Sequence, residues 1–180
     1  ARAGMLTFAM NEWDPELLRG ARCLFLVDTQ RPFRPAELGD MATFVHEGGL
    51  VVLALGGDQE ELEGWAGVAV GEEALGSLPK HEEPLQPRFV DAHPVAGPPG
   101  ARALYRYGEL ELVLAMAQGA GKIVVLGDPR FFAAKNVEGA WGTWPGNVHL
   151  IREMLAEGNC LQDPLAPPFD APTDTTPGEP

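Results

Sequence analysis

Three aspartates, Asp28, Asp58 and Asp128, each follow an apolar run or a tight turn, which is typical of residues at the carboxyl ends of parallel strands. Because ligands of open α/β sheets bind at that edge, the three carboxylates could together hold a hard cation such as Mg²⁺ with water and a phosphate. Asp58 and Asp128 also stand where helices would begin, and helix capping alone accounts for both. We therefore expect no metal or cofactor.

Three further segments carry candidate ligand-binding residues. The turn Gly56-Gly57 exposes N–H groups that could receive an anion. Asn147 is expected to cap the last helix and, with Asp128, to hold loops at the carboxyl end of the sheet. Trp141 and Trp144 stand beside glycines in a loop, where they could contact a partner or a sugar, or could cover the open end of the core.

The sequence lacks the motifs of several common enzymes. It contains no dinucleotide-binding GxGxxG, no GxxxxGK[ST] and no GxSxG, and its four histidines show no metal-binding spacing. Cys23 lies inside an apolar run and Cys160 follows the last predicted helix, so neither has the position of a nucleophile at a strand-to-helix turn. The sequence does not decide whether the two cysteines form a disulfide.

Strand and helix patterns alternate along the ordered part of the chain. The predicted strands are Ala21–Asp28, Leu50–Leu55, Phe89–Asp91, Arg102–Tyr107, Glu109–Met116 and Lys122–Leu126. The predicted helices begin at Pro35, at Asp58 with Glu61 in capping-box spacing, and at Asn147, the last of them ending at Gly158. This order predicts an α/β three-layer sandwich with a mostly parallel sheet and an antiparallel hairpin at one edge.

Composition sets the domain organisation. We predict one α/β domain over residues 1–160, a Pro-rich surface loop over 79–100, and a disordered acidic Pro-rich tail over 161–180. The net charge of −13 argues against binding to nucleic acid or to anionic lipid. No apolar run reaches the roughly 20 residues that span a bilayer, and Met5 is the first methionine, so we expect a fragment of a longer protein.

Two stretches of the chain resemble a known family. FRPAELGDMATFVHEGGLVVLAL is similar to a block of class I glutamine amidotransferase-like domains. GAGKIVVLGDPRFFAAKN followed by GNVHLIREML resembles the ending of their non-catalytic, membrane-tethered branch, which includes domains of unknown function and gliding-motility-type ABC transporter auxiliary proteins. That branch is distantly similar to the amino-terminal domain of an intraflagellar-transport subunit.

The resemblance implies a flavodoxin-like sheet without amidotransferase chemistry. Catalytic members carry a nucleophilic cysteine after a central strand and a late His-x-Glu pair, whereas the turn after Leu50–Leu55 reads GGDQ here and the late pair is missing. The residues that match the motif of the non-catalytic branch are Gly127, Asp128, Phe131, Gly146 and Asn147.

The sequence therefore predicts a non-enzymatic ligand- or partner-binding domain of a membrane-associated or cell-envelope protein. Its partner would be a protein, a small molecule or a sugar, and a membrane would be reached only through segments outside this fragment. The alternative is a metal-dependent hydrolase that uses the acids at the carboxyl ends of the strands. The expected ligand-binding residues are Asp28, Gly56, Gly57, Asp58, Asp128, Trp141, Trp144 and Asn147.

Overall fold

The computed structural model describes residues 10, 12–27, 29, 31–79, 85–139 and 142–160. The helices are Pro15–Gly20 (α1), Pro35–His46 (α2), Glu60–Ala66 (α3), Ala134–Val137 (α4) and Pro145–Glu157 (α5). The strands are Cys23–Val27 (β1), Leu50–Ala54 (β2), Ala69–Val70 (β3), Gly76–Leu78 (β4), Phe89–Ala92 (β5), Val95–Ala96 (β6), Arg102–Tyr107 (β7), Leu110–Gln118 (β8), Gly121–Leu126 (β9), Glu138–Gly139 (β10) and Gly142–Thr143 (β11). The predicted tail, Asp28 and Trp141 lie outside the described residues.

Five strands form the main sheet, in the order β1-β2-β9-β8-β7. β1, β2 and β9 run parallel, with Leu50 of β2 opposite Cys23 of β1 and Lys122 of β9. β8 and β7 continue the sheet in antiparallel orientation. The predicted edge hairpin is confirmed, since β7 and β8 are joined at Gly108, which has the positive φ of 60° that glycine accommodates without strain. The protein is thus a mixed α/β fold.

Both faces of this sheet carry a buried core. All five residues of β2 are buried, and alternate residues contribute to opposite faces because successive side chains of a strand point to opposite sides. One face packs on α2 through Met41, Phe44 and Val45. The other face packs on α5 through Leu150, Met154 and Leu155. Burial of each such side chain contributes about 1.5–3 kcal/mol, so the two helices fix the sheet from both sides.

Helix α2 begins and ends as the sequence predicts. Pro35 occupies its first turn, where N–H groups have no partner within the helix, so the missing N–H of proline costs no hydrogen bond. The helix ends at His46, and the chain then turns through Gly48 with a φ of 111°. Gly49 must be a glycine, because a Cβ there would lie 2.4 Å from Cζ of Phe44. The helix is therefore packed tightly against the start of β2.

The stretch predicted as a Pro-rich surface loop contains a buried segment. The short strand predicted near Phe89 is confirmed as β5, which pairs antiparallel with β4, and β6 pairs antiparallel with β3. Phe89 and Ala92 are fully buried and Val95 is nearly so. The prolines of this region led to the surface prediction, but its apolar residues pack against the sheet.

Cys23 and Cys160 form a disulfide, which resolves the pairing that the sequence left open. Their Cα atoms are 6.5 Å apart, and the bond closes a sequence separation of 137 residues. It joins the start of β1 to the chain just beyond α5. Among the described residues, no helix has the length and apolar character needed to cross a bilayer.

Candidate functional site

Asp128 follows β9 after one residue, Gly127, and is fully buried. One carboxylate oxygen accepts hydrogen bonds from the main-chain N–H groups of Val90 (2.6 Å) and Asp91 (3.2 Å). The other accepts from the N–H of Arg130 (2.8 Å), so Asp128 closes the turn that the sequence predicted. Beyond that turn its carboxylate binds β5, a contact that capping does not account for.

Asn147 is also fully buried, and it does not cap the last helix as predicted. Helix α5 begins at Pro145 with Trp144 in the capping position, which leaves Asn147 inside the first turn. Its side-chain oxygen accepts from the N–H of Arg88 (2.5 Å), and its amide donates to the carbonyl of Asn136 (3.0 Å). The helical proline, and not the asparagine, therefore sets the start of α5.

Asn136 is a third buried polar residue of the same region, and the sequence analysis missed its role. Its amide nitrogen donates to the carbonyls of Arg88 (3.0 Å) and Phe131 (2.8 Å). An asparagine in a short helix carries no periodic signal, so only its place in the family-like stretch pointed to it. We call Asp128, Asn136 and Asn147 the polar clamp, since all three bind the main chain of residues 88–91.

Two glycines allow the clamped segment to approach the sheet and helix. A Cβ on Gly127 would lie 2.1 Å from the carbonyl oxygen of His93, and one on Gly146 would lie 2.1 Å from that of Gln86. Glycine is thus required at both positions for steric reasons. Gly127 and Gly146 therefore help to determine how residues 86–93 dock.

Trp144 contributes to the same structure. Its indole N–H donates to the carbonyl of Gln86 (2.8 Å), and the guanidinium carbon of Arg88 lies 5.7 Å from its ring centroid. Of the two interpretations that the sequence left open for this tryptophan, these contacts favour the structural one. Trp141 lies outside the described residues.

Burial shifts the pKa of Asp128, which is the titratable residue of the clamp. Desolvation raises the pKa of Asp128 above its ordinary value of 3.8, although the three N–H donors act in the opposite direction. The negative charge of Asp91 raises it further. A carboxyl group in this environment resembles a buried structural group more than a solvated metal ligand.

Asp58 is exposed and lies near the turn that carries Asp128, but it is not part of the clamp. It does not cap α3 as predicted, because Gln59 occupies the capping position and no side chain bonds there. The capping-box partner Glu61 instead accepts the N–H of Phe33 (2.8 Å), so it ties the first turn of α3 to the loop before α2. The structure therefore separates Asp58, at the surface, from Asp128, in the interior.

Gly56 and Gly57 form the turn between β2 and α3, as predicted. A Cβ on Gly57 would lie 2.7 Å from Cα of Glu72, so this position has no room for a side chain. A Cβ on Gly56 would lie 3.3 Å both from a carboxylate oxygen of Asp58 and from Pro129. The turn is thus packed closely against its neighbours.

A crevice opens between the loops that follow β1 and β2, with a volume of about 480 Å³. Its lining residues are Thr29, Arg31, Pro32, Phe33, Asp58, Gln59, Glu60, Glu61 and Leu62. Asp58 and Glu60 are exposed carboxylates on this crevice, so its rim is acidic. Among the described residues, no three His, Cys, Asp or Glu side chains are grouped so that they could hold a metal ion.

Glu37 is buried beside this crevice, and the sequence analysis missed it. Its carboxylate accepts two hydrogen bonds from the guanidinium of Arg31 (2.8 and 2.9 Å), and it binds both the side chain and the main-chain N–H of Arg34. The bonds from Arg31, followed by that from the Arg34 main chain, lower the pKa of Glu37 to about 2. The same pair raises the pKa of Arg31.

Comparison with known proteins gives a fold likeness. No family model matches the chain, and no curated protein matches it in sequence. Among solved structures, the mmIFT52 N-terminal domain is similar with a TM-score of 0.62 and 18% identity over 83% of each chain. A cytoplasmic protein from Salmonella typhimurium is similar with a TM-score of 0.50 and 12% identity, over 79% of this chain and 74% of that one.

A beta-galactosidase from Bacillus circulans sp. alkalophilus matches 77% of this chain over 22% of its own length, with a TM-score of 0.47 and 16% identity. At these identities the comparisons show the fold alone, and the match to the galactosidase carries no argument. The class they define is an α/β domain with a mixed sheet.

Proposed function

We propose that this chain is a non-enzymatic ligand- or partner-binding domain, built as a flavodoxin-like three-layer α/β sandwich of the non-catalytic amidotransferase-like kind. One observation carries the proposal: side chains suited to chemistry already have structural partners. The oxygens of Asp128 accept hydrogen bonds from three main-chain N–H groups. The amide of Asn147 accepts one hydrogen bond through its oxygen and donates another through its nitrogen. Cys23 and Cys160 are bonded to each other.

The crevice between the loops after β1 and β2 is the binding surface that we favour. Its volume of about 480 Å³ falls within the usual range of roughly 300–1,000 Å³ for ligand pockets. Arg31 and Arg34 share the one carboxylate of Glu37, so this group keeps one positive charge. The exposed carboxylates of Asp58, Glu60 and Glu61 outnumber it and set the charge of the rim. An acidic rim attracts basic groups, so the expected partner presents lysine or arginine side chains or an amine.

The disulfide supports the proposed location in the cell envelope. Disulfides persist in oxidising compartments and are rare where thiols are kept reduced. A structural bond between Cys23 and Cys160 therefore favours a domain that works outside the reducing cytosol. Attachment to a membrane through other segments remains part of the proposal.

A titration with an oligolysine peptide, followed by amide chemical shifts, tests the binding proposal. We expect shifts confined to residues 31–33 and 58–62, and affinity about three- to tenfold weaker for the double variant Asp58→Asn/Glu60→Gln, because each exposed ion pair contributes up to about 1 kcal/mol. The control is Glu47→Gln/Glu109→Gln, which removes the same charge from exposed positions elsewhere. Equal weakening by both double variants would mean that the peptide responds only to net charge.

The metal-dependent hydrolase is the second candidate, and the exposed position of Asp58 on the crevice is what favours it. Thermal melts with Mg²⁺, Mn²⁺ or Ca²⁺ distinguish it, since an ion at 100 times its dissociation constant stabilises the fold by about 2.7 kcal/mol. A melting shift that disappears in Asp58→Asn, together with a divalent-ion-dependent hydrolytic activity lost in the same variant, would replace the binding proposal.

A further inference from the structure

Two exposed arginines flank the polar clamp at the carboxyl end of the sheet. Arg88 lies just before β5, and Arg130 lies in the turn after β9. The main-chain carbonyls of Arg88 and Phe131 accept hydrogen bonds from the same amide nitrogen of Asn136, at 3.0 and 2.8 Å. Because Phe131 directly follows Arg130, the main chains of the two arginines lie close together. We call Arg88 and Arg130 the arginine pair.

The arginine pair lacks the acidic partners that many basic side chains of this protein have. The lysine and arginine side chains that bind a carboxylate are Arg19, Arg31, Arg34, Arg102, Arg106 and Lys122. Within the part of the chain that the structure describes, neither Arg88 nor Arg130 forms an ion pair, although the exposed Asp58 lies near Pro129. In a chain with a net charge of −13, these two neighbouring guanidinium groups are therefore available to carboxylates from outside.

The polar clamp fixes the main chain of both arginines. The side chain of Asn147 accepts the N–H of Arg88 at 2.5 Å, and that of Asp128 accepts the N–H of Arg130 at 2.8 Å. Both acceptors are fully buried. The guanidinium carbon of Arg88 also lies 5.7 Å from the ring centroid of Trp144, a contact that restricts the orientation of the arginine. Because the surface is ordered before a partner arrives, less conformational entropy is lost on binding.

An apolar side chain beside the arginine pair indicates what kind of partner fits. Leu85 is 86% exposed, the largest exposed fraction among the large apolar side chains that the structure describes. The next residue, Gln86, accepts the indole N–H of Trp144 through its carbonyl, so Leu85 lies near the ring that contacts Arg88. An inorganic anion uses only the charge of such a surface, whereas a protein segment contacts both the charged and the apolar groups. Arginine and aromatic side chains are also enriched at protein interfaces.

We propose that the arginine pair and Leu85 form a docking surface for an acidic segment of another protein. The segment presents carboxylates to Arg88 and Arg130 and an apolar side chain to Leu85. None of these residues lines the acidic crevice, so this surface goes beyond the proposed function and does not depend on it. The net charge of −13 repels an acidic partner at long range, but salt screens that repulsion beyond about 8 Å, whereas the ion pairs act within about 4 Å.

A titration with the peptide acetyl-EDLDE-amide at an ionic strength of about 0.15 M, followed by chemical shifts of N–H groups, tests this surface. We expect shifts concentrated at residues 85–88 and 130–131 and at the indole N–H of Trp144. The double variant Arg88→Gln/Arg130→Gln should bind about three- to tenfold more weakly, as the loss of two exposed ion pairs implies. The uncharged peptide acetyl-QNLNQ-amide should show a similar loss against the wild-type protein.

The matched control is Arg22→Gln/Arg152→Gln, which removes the same charge from exposed arginines elsewhere and should bind like the wild type. Both double variants replace exposed side chains, so without peptide their spectra should match that of the wild type away from the substituted residues. Equal weakening by the two double variants, or no shifts at residues 85–88 and 130–131, would overturn the proposal. Equal shifts at these residues with inorganic phosphate at the same concentration would also overturn it, because any anion would then bind.

Discussion

Glu37 and Asp128 are both buried carboxylates that accept main-chain N–H groups, but only Glu37 has cations beside it. Arg31 and Arg34 bind the Glu37 carboxylate at the start of α2. The oxygens of Asp128 accept main-chain N–H groups, and a like charge, Asp91, raises its pKa. Burial therefore leads to opposite outcomes: the pKa of Glu37 falls to about 2, and the pKa of Asp128 rises.

The two carboxylates also differ in the distance that they bridge along the chain. Glu37 binds residues three and six positions away, so it orders a local turn before a helix. Asp128 binds residues 37 and 38 positions away, so it holds a distant segment against the sheet. The comparison teaches that loss of the Glu37 pair affects one helix end, whereas loss of the polar clamp loosens residues 88–91, which the buried Phe89 still holds to the core.

The largest effect is expected from Asp128→Ala. This change removes the acceptor of the N–H groups of Val90 and Asp91, which are partly buried residues, and a buried group left without a partner costs about 1–3 kcal/mol. We expect the free energy of unfolding to fall by about 3 kcal/mol or more in urea denaturation. Asp58→Ala, an exposed aspartate near the same edge, is the control and should stay within about 0.5 kcal/mol of wild type. Equal losses in the two variants would remove the distinction between buried and exposed acids.

Asn147→Ala should have the next largest effect. It removes the acceptor of the Arg88 N–H and the donor to Asn136, while the helix around it stays intact. We expect a loss of about 2 kcal/mol in the same assay. His149→Ala, an exposed position on the same helix, should change stability little. A neutral Asn147→Ala would show that this arm of the clamp contributes nothing.

The dependence of stability on pH should have opposite sign at the two carboxylates. The folded pKa of Glu37 lies below its ordinary value, so its stabilisation is present above about pH 4.5 and is lost as the pH falls toward 2. The folded pKa of Asp128 is raised, so its favourable contribution is present below its ordinary value of 3.8 and is lost as the pH rises through the raised pKa.

Urea denaturation of Glu37→Gln and Asp128→Asn at several pH values measures both signs, since neither replacement titrates. The stability difference between wild type and Glu37→Gln should shrink as the pH is lowered from 5 to 2. Relative to Asp128→Asn, wild type should lose stability as the pH rises above 4. Parallel curves for the two variants would contradict the assignment of opposite pKa directions.

The smallest effect is expected from Arg34→Met. The Arg34 side chain is 73% exposed, so its pair with Glu37 is largely screened by solvent. The melting temperature should change less than in Arg31→Met, because the Arg31 guanidinium binds both oxygens of that carboxylate, whereas the Arg34 guanidinium binds only one. A larger loss in Arg34→Met would mean that the guanidinium of Arg34, and not that of Arg31, is the main partner of Glu37.

The main strands and helices could be predicted because their signals are local. Leu50–Leu55 is a short apolar run typical of a buried strand, Pro35 marks the start of α2, and Gly158 marks the end of α5. The hairpin at Gly108 follows from alternation on either side of one glycine. Such patterns need no knowledge of distant contacts.

The polar clamp could be predicted only in part. The sequence predicts Asp128 and Asn147 both as helix caps and as ligand-binding residues, since a sequence shows which helix is near and not which distant main chain is near. Asn136 and Glu37 were missed because their partners depend on tertiary packing. The prolines of residues 79–100 favour a surface loop, so the sequence does not predict that Phe89 is buried in the core.

The central claim is that Asp128 and Asn147 serve the structure by binding the main chain of residues 88–91. Amide exchange of Arg88 and Val90 in the unmodified protein near neutral pH tests it most directly. We expect both amides to exchange at least about 100-fold more slowly than in an unfolded chain, in line with bonds that open only when the segment detaches. Exchange at the rate of an unfolded chain would leave both side chains unbound, and the structural account of this site would be wrong.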